Sequence, residues 1–294
     1  MNRTQATGVG FIAVILWALL ALLTVGSAPT PPLLLNTICF AIGGTCGLIW
    51  THLSGGLRLL LRVRWYVYVF GTLGLFGYHA LYFSALRLAP AAEAGLIAYL
   101  WPLLIVLLSG LLPGERLRGG HVIGAVIGFA GAALIVTGGG GGFQAQYALG
   151  YGLALVCALT WSSYSVLSRL LGDAPTQSVT VFCLGAALLS LPLHLIFEQT
   201  VLPQTVTGWG ATILLGLGPV GLAFFVWDIG VKRGDIQLLG AASYAAPLLS
   251  TCVLVLAGVA PLSTTLGLAA LLITGGAVVA ARASFAAGFN STGG

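Results

Sequence analysis

Charged residues are scarce in this sequence. Asp, Glu, Lys and Arg make up 6% of the 294 residues, whereas 59% of the residues are hydrophobic. A water-soluble domain carries roughly 25% charged residues, and so few charges cannot cover a globule that is exposed to water. The composition excludes a soluble globular protein and predicts a chain whose outer surface faces the lipid bilayer.

The signatures of several other functional classes are also absent. The Lys and Arg residues are scattered one to three per loop, so the net charge of +5 does not indicate nucleic-acid binding. The five cysteines form no CxxC pair, which argues against a disulfide framework or a metal site. No HExxH motif occurs, and no acidic residue lies near the centre of an apolar run. We therefore predict no enzyme activity, no catalytic residues, no metal and no cofactor.

Long apolar runs are what the sequence has instead. Ten runs of near 20 residues predict ten transmembrane helices, at about 7–26, 33–53, 65–88, 93–112, 118–138, 148–170, 176–197, 208–229, 237–258 and 264–284. The first run is longer than the core of a signal peptide, so we expect it to be retained as a helix. The six acidic residues all fall near predicted helix ends. We therefore predict that proton coupling does not depend strongly on a buried carboxylate.

The basic residues predict how the chain lies in the membrane. Ten of the eleven fall on the side of the amino terminus, and only Arg87 falls on the other side. Loops rich in Lys and Arg stay in the cytoplasm. We therefore expect both termini to be cytoplasmic and the protein to lie in a bacterial inner membrane.

The two halves of the chain repeat each other. Trp17 matches Trp161 at an offset of 144, and after one inserted residue Tyr99 matches Tyr244 and Arg87 matches Lys232 at an offset of 145. Five helices per half is an odd number, so the second half must be inverted relative to the first. We predict one repeat over 1–138, a Gly-rich linker over 139–147 and an inverted repeat over 148–294. Inverted repeats are typical of secondary transporters, which bind substrate near the midplane between the halves.

This layout resembles the drug/metabolite transporter superfamily, in its EamA-type branch. The resemblance is carried by 84–91 (SALRLAPA), 99–103 (YLWPL), 113–117 (PGERL) and the glycines at 124 and 131. The second half keeps Tyr244 and Pro247 but has Ala260 where Glu115 stands. Within that branch the chain is most similar to YddG-type exporters of aromatic and other amino acids. The resemblance implies that helices one, three, four, six, eight and nine surround a central cavity, with helices five and ten at the periphery.

Aromatic and polar residues inside the spans are candidates for substrate contact. Tryptophans favour membrane interfaces, yet Trp17, Trp101 and Trp161 lie near span centres. An intramembrane ionisable residue such as His79 is a functional candidate. The full candidate set is Trp17, Tyr78, His79, Tyr82, Tyr99, Trp101, Trp161, Tyr164, Ser243 and Tyr244, with hinges at Pro102 and Pro247. The alternative is that these side chains hold helices together. On an ideal helix Tyr99 and Trp101 are about 200° apart, so only one would face the cavity fully.

The absence of a central fixed charge favours a neutral or zwitterionic solute, and aromatic walls favour one with an apolar or aromatic side chain. We predict a monomeric secondary transporter that exports amino acids, large apolar and aromatic ones above others, by alternating access. Export of another small neutral or zwitterionic metabolite or drug is the main alternative. A channel, which would need a selectivity filter, a membrane enzyme and an accessory protein are more distant ones. The substrate, the coupling ion and the direction of transport in the cell stay open at this point.

Overall fold

A computed structural model describes residues 1–137, 144–171, 173–258 and 263–289. Every regular element in this part of the chain is helical, and it contains no strand. The sequence therefore predicted the all-α class correctly. The predicted linker at 139–147 and Ala260 fall largely outside the described residues. The part of the linker that is described forms a short 3-10 turn, Ala145–Tyr147.

Ten helical segments follow one another along the chain, and we number them α1 to α10. The uninterrupted ones are α2 (Pro32–Leu53), α3 (Trp65–Leu88), α5 (Gly119–Thr137), α6 (Ala148–Leu170), α7 (Ser178–Phe197) and α10 (Thr264–Phe289). The others consist of consecutive pieces: α1 (Arg3–Ala18, Leu20–Gly26), α4 (Ala91–Ala98, Trp101–Ser109), α8 (Val206–Leu217, Gly218–Leu222, Ala223–Arg233) and α9 (Ile236–Ala242, Ala245–Leu256). A four-residue helix, Leu57–Leu60, lies between α2 and α3.

Nine of these segments are long and apolar enough to cross a bilayer, as counted over the described ranges. The tenth, α4, has a shorter apolar stretch at Glu93–Ser109. Its place in the order agrees with the predicted fourth helix, but its crossing of the membrane stays a prediction. Two of the interrupted helices, α4 and α9, occupy equivalent places in the predicted repeats.

Proline explains the breaks in α4 and α9. Pro102 and Pro247 lack the N–H that would bond four residues back, and their rings clash with the carbonyl there. The first piece of α4 ends at Ala98, four residues before Pro102. The first piece of α9 ends at Ala242, five residues before Pro247. The kinks therefore lie where the sequence places them, and hinge motion at these points remains a prediction.

Glycine allows α5 and α10 to pack against each other very closely. An added Cβ on Gly124 would stand 2.5 Å from the carbonyl oxygen of Gly276, and one on Gly276 would stand 2.5 Å from the carbonyl oxygen of Gly124. Such close approach of backbones is the usual role of small residues between membrane helices.

Candidate functional site

Four tryptophans from four different helices meet inside the bundle. Trp17 of α1, Trp101 of α4, Trp161 of α6 and Trp227 of α8 are all in mutual contact, with ring centroids 5.1 to 6.4 Å apart in every pair. Most pairs are edge-to-face, the arrangement that the aromatic quadrupole favours. Trp17 is half-buried, whereas the other three are nearly inaccessible. The cluster joins both halves of the chain.

Two of the four indole N–H groups have clear partners. The indole nitrogen of Trp17 donates to the carbonyl oxygen of Pro219 at 3.1 Å. That carbonyl lies in the π-helical turn Gly218–Leu222 of α8. The indole nitrogen of Trp227 donates to the Ser165 hydroxyl, also at 3.1 Å. A buried indole N–H needs such a partner, and these bonds fix the orientation of both rings.

Three aromatic side chains on α3 extend this cluster. The Tyr78 ring lies 5.5 Å from the Trp161 ring, and the Tyr82 ring stacks on Tyr78 at 6.1 Å. His79 packs edge-on against Phe40 at 5.0 Å. Its Nδ1 lies 2.7 Å from the carbonyl oxygen of Leu75. A carbonyl can only accept, so Nδ1 carries the hydrogen and Nε2 presents a lone pair.

The tyrosine hydroxyls beside the cluster are available to a ligand. Those of Tyr78, Tyr82 and Tyr99 make no hydrogen bond to any residue that the structure describes, and all three side chains are half-buried. Because α4 is interrupted at Tyr99 and Leu100, the 200° separation of an ideal helix does not apply. The side chains of Tyr99 and Trp101 are therefore not forced onto opposite faces.

Two of the predicted residues lie elsewhere. Tyr244 is fully buried, with its ring 6.0 Å from that of Phe129 on α5. Its hydroxyl accepts a hydrogen bond from the backbone N–H of Leu103 at 3.1 Å. The Ser243 hydroxyl donates to the carbonyl of Leu239 at 2.7 Å. The Tyr244 contacts are the helix-joining alternative that the sequence left open, whereas the Ser243 bond stays within α9.

Tyr164 is also buried, and it stacks between Trp161 and Phe70 with ring centroids at 5.2 and 5.6 Å. It supports the Trp161 ring from α6 itself. Trp227, which lies near the expected end of the eighth span at about residue 229, was not among the predicted site residues. Its match to Tyr82 in the internal repeat is the signal that could have found it.

A set of ion pairs lies at the end of the bundle that carries most of the basic residues. The Glu115 carboxylate is 2.6 Å from Arg169 and 3.1 Å from Arg3, and Arg3 is 3.5 Å from Asp235. Arg169 also donates to the backbone carbonyls of Val231 and Gly234. These contacts join the start of α1, the segment after α4, the end of α6 and the start of α9. They tie the two halves together at this end.

A different carboxylate organises the opposite end. Glu198 accepts backbone N–H bonds from Leu33 and Leu34 at the start of α2, at 3.0 to 3.1 Å. It also lies 3.0 Å from Arg87 and 3.0 Å from His194. A carboxylate is favourable at a helix amino terminus. Glu198 therefore joins α2 and α3 of the first half to α7 of the second half at this end.

One acidic residue departs from its predicted position near a helix end. Asp228 lies inside α8 with 2% of its surface exposed, five residues before the helix ends. It is 2.8 Å from the Lys232 ammonium and accepts a 2.8 Å hydrogen bond from Thr176. The sequence predicted acidic residues near helix ends, and Asp228 lies about one helical turn further inside α8 than predicted, where it is buried. A buried charge of this kind is tolerated because it is paired.

An apolar groove of about 310 Å³ lies between α2 and α8, outside the tryptophan cluster. It is lined by Gly43, Cys46, Gly47, Trp50, Thr176, Leu217, Leu222, Phe225, Val226 and Ile229. Cys46, Trp50, Leu217 and Leu222 are exposed, so the groove opens toward the outer surface of the bundle and not toward the site.

Comparison with known proteins places this geometry in a family. The model of the EamA-like transporter family matches residues 6–137 and 148–282. The aromatic amino acid exporter YddG of Ancylobacter novellus is 53% identical over 95% of this chain and 98% of that protein. The exporter of the same name in Escherichia coli is 26% identical over 95% of this chain and 97% of its own length.

Solved structures agree with these matches. A crystal structure of a protein that is 52% identical superimposes with a TM-score of 0.91 and covers 95% of this chain and 98% of that one. The relatives are named exporters and not enzymes, which agrees with the prediction from the missing catalytic motifs. The family model matches the chain twice, once in each half, and residues 138–147 separate the two matches. The chain is a member of the EamA-like transporter family.

Proposed function

We propose that this protein exports amino acids, with aromatic and large apolar ones favoured, by alternating access between its two halves. The observation that carries this proposal is the four-tryptophan cluster, which lies between helices of both halves. The tyrosine hydroxyls beside it have no hydrogen-bond partner among the described residues. The high similarity to named aromatic amino acid exporters supports the same substrate class.

The site can bind a zwitterion without a buried fixed charge. The Nε2 lone pair of His79 accepts a hydrogen bond from the substrate ammonium, because Nδ1 already donates to Leu75. The hydroxyls of Tyr78, Tyr82 and Tyr99 donate to the carboxylate. The half-buried face of Trp17 and the tyrosine rings accommodate the side chain, as apolar walls do in other ligand sites. Neutral dipoles bind charged groups weakly. We therefore expect a dissociation constant of about 1 mM, which corresponds to a binding free energy of about −4 kcal/mol.

The substrate reaches this site from the cytoplasm. Ten of the eleven basic residues belong to one end of the bundle, and the positive-inside rule assigns that end to the cytoplasm. Both termini then lie inside the cell, with the chain in the bacterial inner membrane. In this mechanism the ion pairs of Glu115 hold the cytoplasmic end closed.

The two halves, 1–138 and 148–294, act as inverted repeats in this mechanism. The positions that match Arg3, Arg169 and Asp235 at the opposite end are Tyr147, Val25 and Pro90, and none of them is charged. The Glu115 ion pairs therefore have no symmetry-related counterpart, and at the opposite end the halves are joined by a different pair, Arg87 with Glu198. The broken helices α4 and α9 supply the points about which the ends open and close. The whole site lies within one chain, so a monomer suffices.

Flux measurements in liposomes test the proposal. Purified protein should move tryptophan, phenylalanine, methionine and leucine faster than aspartate or lysine. Trp101→Ala should lower the flux while the protein still purifies as a single species. If the charged amino acids move fastest, the substrate preference is wrong. If a neutral drug or sugar moves and no amino acid does, the alternative substrate class replaces it.

A further inference from the structure

The segment Gly218–Leu222 of α8 is a π-helical turn, with regular α-helix on either side at Val206–Leu217 and Ala223–Arg233. A π turn closes its hydrogen bond over one more residue than an α turn, and such turns often occur at functional sites. It marks a point where a helix accommodates one additional residue without ending.

The internal repeat places the additional residue at the same point. Trp65 and Trp209 are 144 positions apart, and so are Gly74 and Gly218. Tyr82 and Trp227 are 145 positions apart. The second half therefore gains its extra residue between 218 and 227. The matching helix α3 is regular from Trp65 to Leu88, so only α8 contains the turn.

An extra residue in an unbroken α-helix would turn the rest of the helix by about 100°. The π turn takes up the extra residue within its wider turn, so the side chains that follow it keep the faces of their counterparts on α3. Phe224 and Trp227 follow the turn directly, and their rings lie 6.4 and 5.1 Å from the ring of Trp17. The carbonyl inside the turn, that of Pro219, accepts the Trp17 indole N–H.

We propose that this single-residue insertion is a positioning element of the transport site. The π turn that takes up this residue keeps Trp227 in the aromatic cluster and presents the Pro219 carbonyl that fixes the Trp17 ring, the half-buried wall of the site. Pro219 contacts no substrate in this scheme and acts through Trp17. The inference rests on the proposed function, because it assumes that Trp17 binds the exported amino acid.

The π turn can be disturbed by a substitution at Gly221. A Cβ on Gly221 would collide with the carbonyl oxygen of Gly216 and would stand 3.1 Å from Cα of Gly43 on α2. Gly221→Ala must therefore shift the turn. Gly210, on the same helix, has nothing within 4 Å of an added Cβ. Gly210→Ala is the matched control for the same chemical change in the same helix.

The experiment measures tryptophan export by wild type, Gly221→Ala, Gly210→Ala, Trp17→Phe and the double variant Gly221→Ala/Trp17→Phe in liposomes. Trp17→Phe keeps an aromatic ring but removes the N–H. We expect KM to rise about tenfold in Gly221→Ala and in Trp17→Phe, as for the loss of one buried hydrogen bond. Maximal flux should fall much less, and Gly210→Ala should match wild type. The double variant should resemble either single one, because both remove the same interaction.

The outcomes separate the two proposals. If wild type moves no amino acid, the proposed function fails. If wild type transports but Gly221→Ala behaves like Gly210→Ala, or its effect multiplies with that of Trp17→Phe, the positioning role is wrong. If Gly221→Ala does not purify as a folded protein, Trp17→Phe decides alone, because an unchanged KM in that variant also overturns the inference.

Discussion

The Glu115 carboxylate and the Arg169 guanidinium lie 2.6 Å apart, which links the first half of the chain to the second at one end of the bundle. Glu115 is 7% exposed and Arg169 is 20% exposed, so solvent screens this pair only partly. Arg3, which also contacts Glu115, is 53% exposed and contributes less. Glu115 is thus the shared acceptor of two cations from α1 and α6.

Glu115→Gln should shift the protein toward a conformation that is open at this end. The amide cannot form either ion pair, so the closed form loses stabilisation. We expect a maleimide to label Ser168→Cys, a buried position near the end of α6, about tenfold faster, which corresponds to a shift of about 1.4 kcal/mol. Glu93→Gln is the control, since Glu93 has no ion pair within the described residues. Equal labelling rates in the two variants would exclude a gating role for Glu115.

His79→Phe should weaken amino-acid binding while it preserves the packing of the ring against Phe40. The phenyl ring occupies the same space but has no lone pair for the substrate ammonium. We expect KM for tryptophan to rise about tenfold, with little change in the thermal midpoint. His79→Ala serves as the comparison, because it removes the ring as well. A normal KM in His79→Phe would rule out the hydrogen bond from the ammonium.

Tyr244→Phe should lower stability and Tyr99→Phe should raise KM, although the two tyrosines are equivalent in the internal repeat. The Tyr244 hydroxyl accepts the N–H of Leu103, so its loss should cost about 1–2 kcal/mol of stability and leave KM unchanged. The Tyr99 hydroxyl has no partner among the described residues, so its loss should raise KM and leave stability unchanged. Thermal unfolding in detergent and liposome flux measure both quantities. A reversed pattern would assign Tyr244 to the substrate.

Single-cysteine labelling tests the orientation. A cysteine at position 29, between α1 and α2, should react with a membrane-impermeant maleimide added to intact cells. A cysteine at position 60, between α2 and α3, should react only after the cells are opened, because Arg58, Arg62 and Arg64 keep that segment inside. Labelling at 60 but not at 29 in intact cells would invert the topology.

Much of this arrangement was predictable because it depends on local patterns. Apolar run length identified the helices, and the prolines located the breaks in α4 and α9. The tryptophans at 17, 101 and 161 were recognisable because aromatic residues at membrane depth are unusual. Each of these signals requires only neighbouring residues.

What the sequence could not predict concerns contacts between distant segments. Tyr244 has the same spacing to its proline as Tyr99, yet its ring faces α5, where Gly128 leaves room for it. Trp227 was not singled out as a site residue. Asp228 lies deeper in α8 than predicted, because the end of α8 was expected four residues too early. The π turn leaves no periodic pattern in the sequence. It becomes evident only when the offset between the two repeats, which changes from 144 to 145, is compared with the helix in the structure.

The ion pairs of Glu115 have a consequence for how the protein responds to substrate concentration in the proposed mechanism. When a binding-competent form is only a fraction of the population, the apparent dissociation constant rises by the inverse of that fraction. If the Glu115 ion pairs hold the cytoplasmic end closed, the internal concentration at which export half-saturates lies above the intrinsic dissociation constant of the site. Export would then rise mainly when amino acids accumulate. Three acid–base contacts at one end of the bundle would thus set a threshold, and the protein would act as an overflow valve.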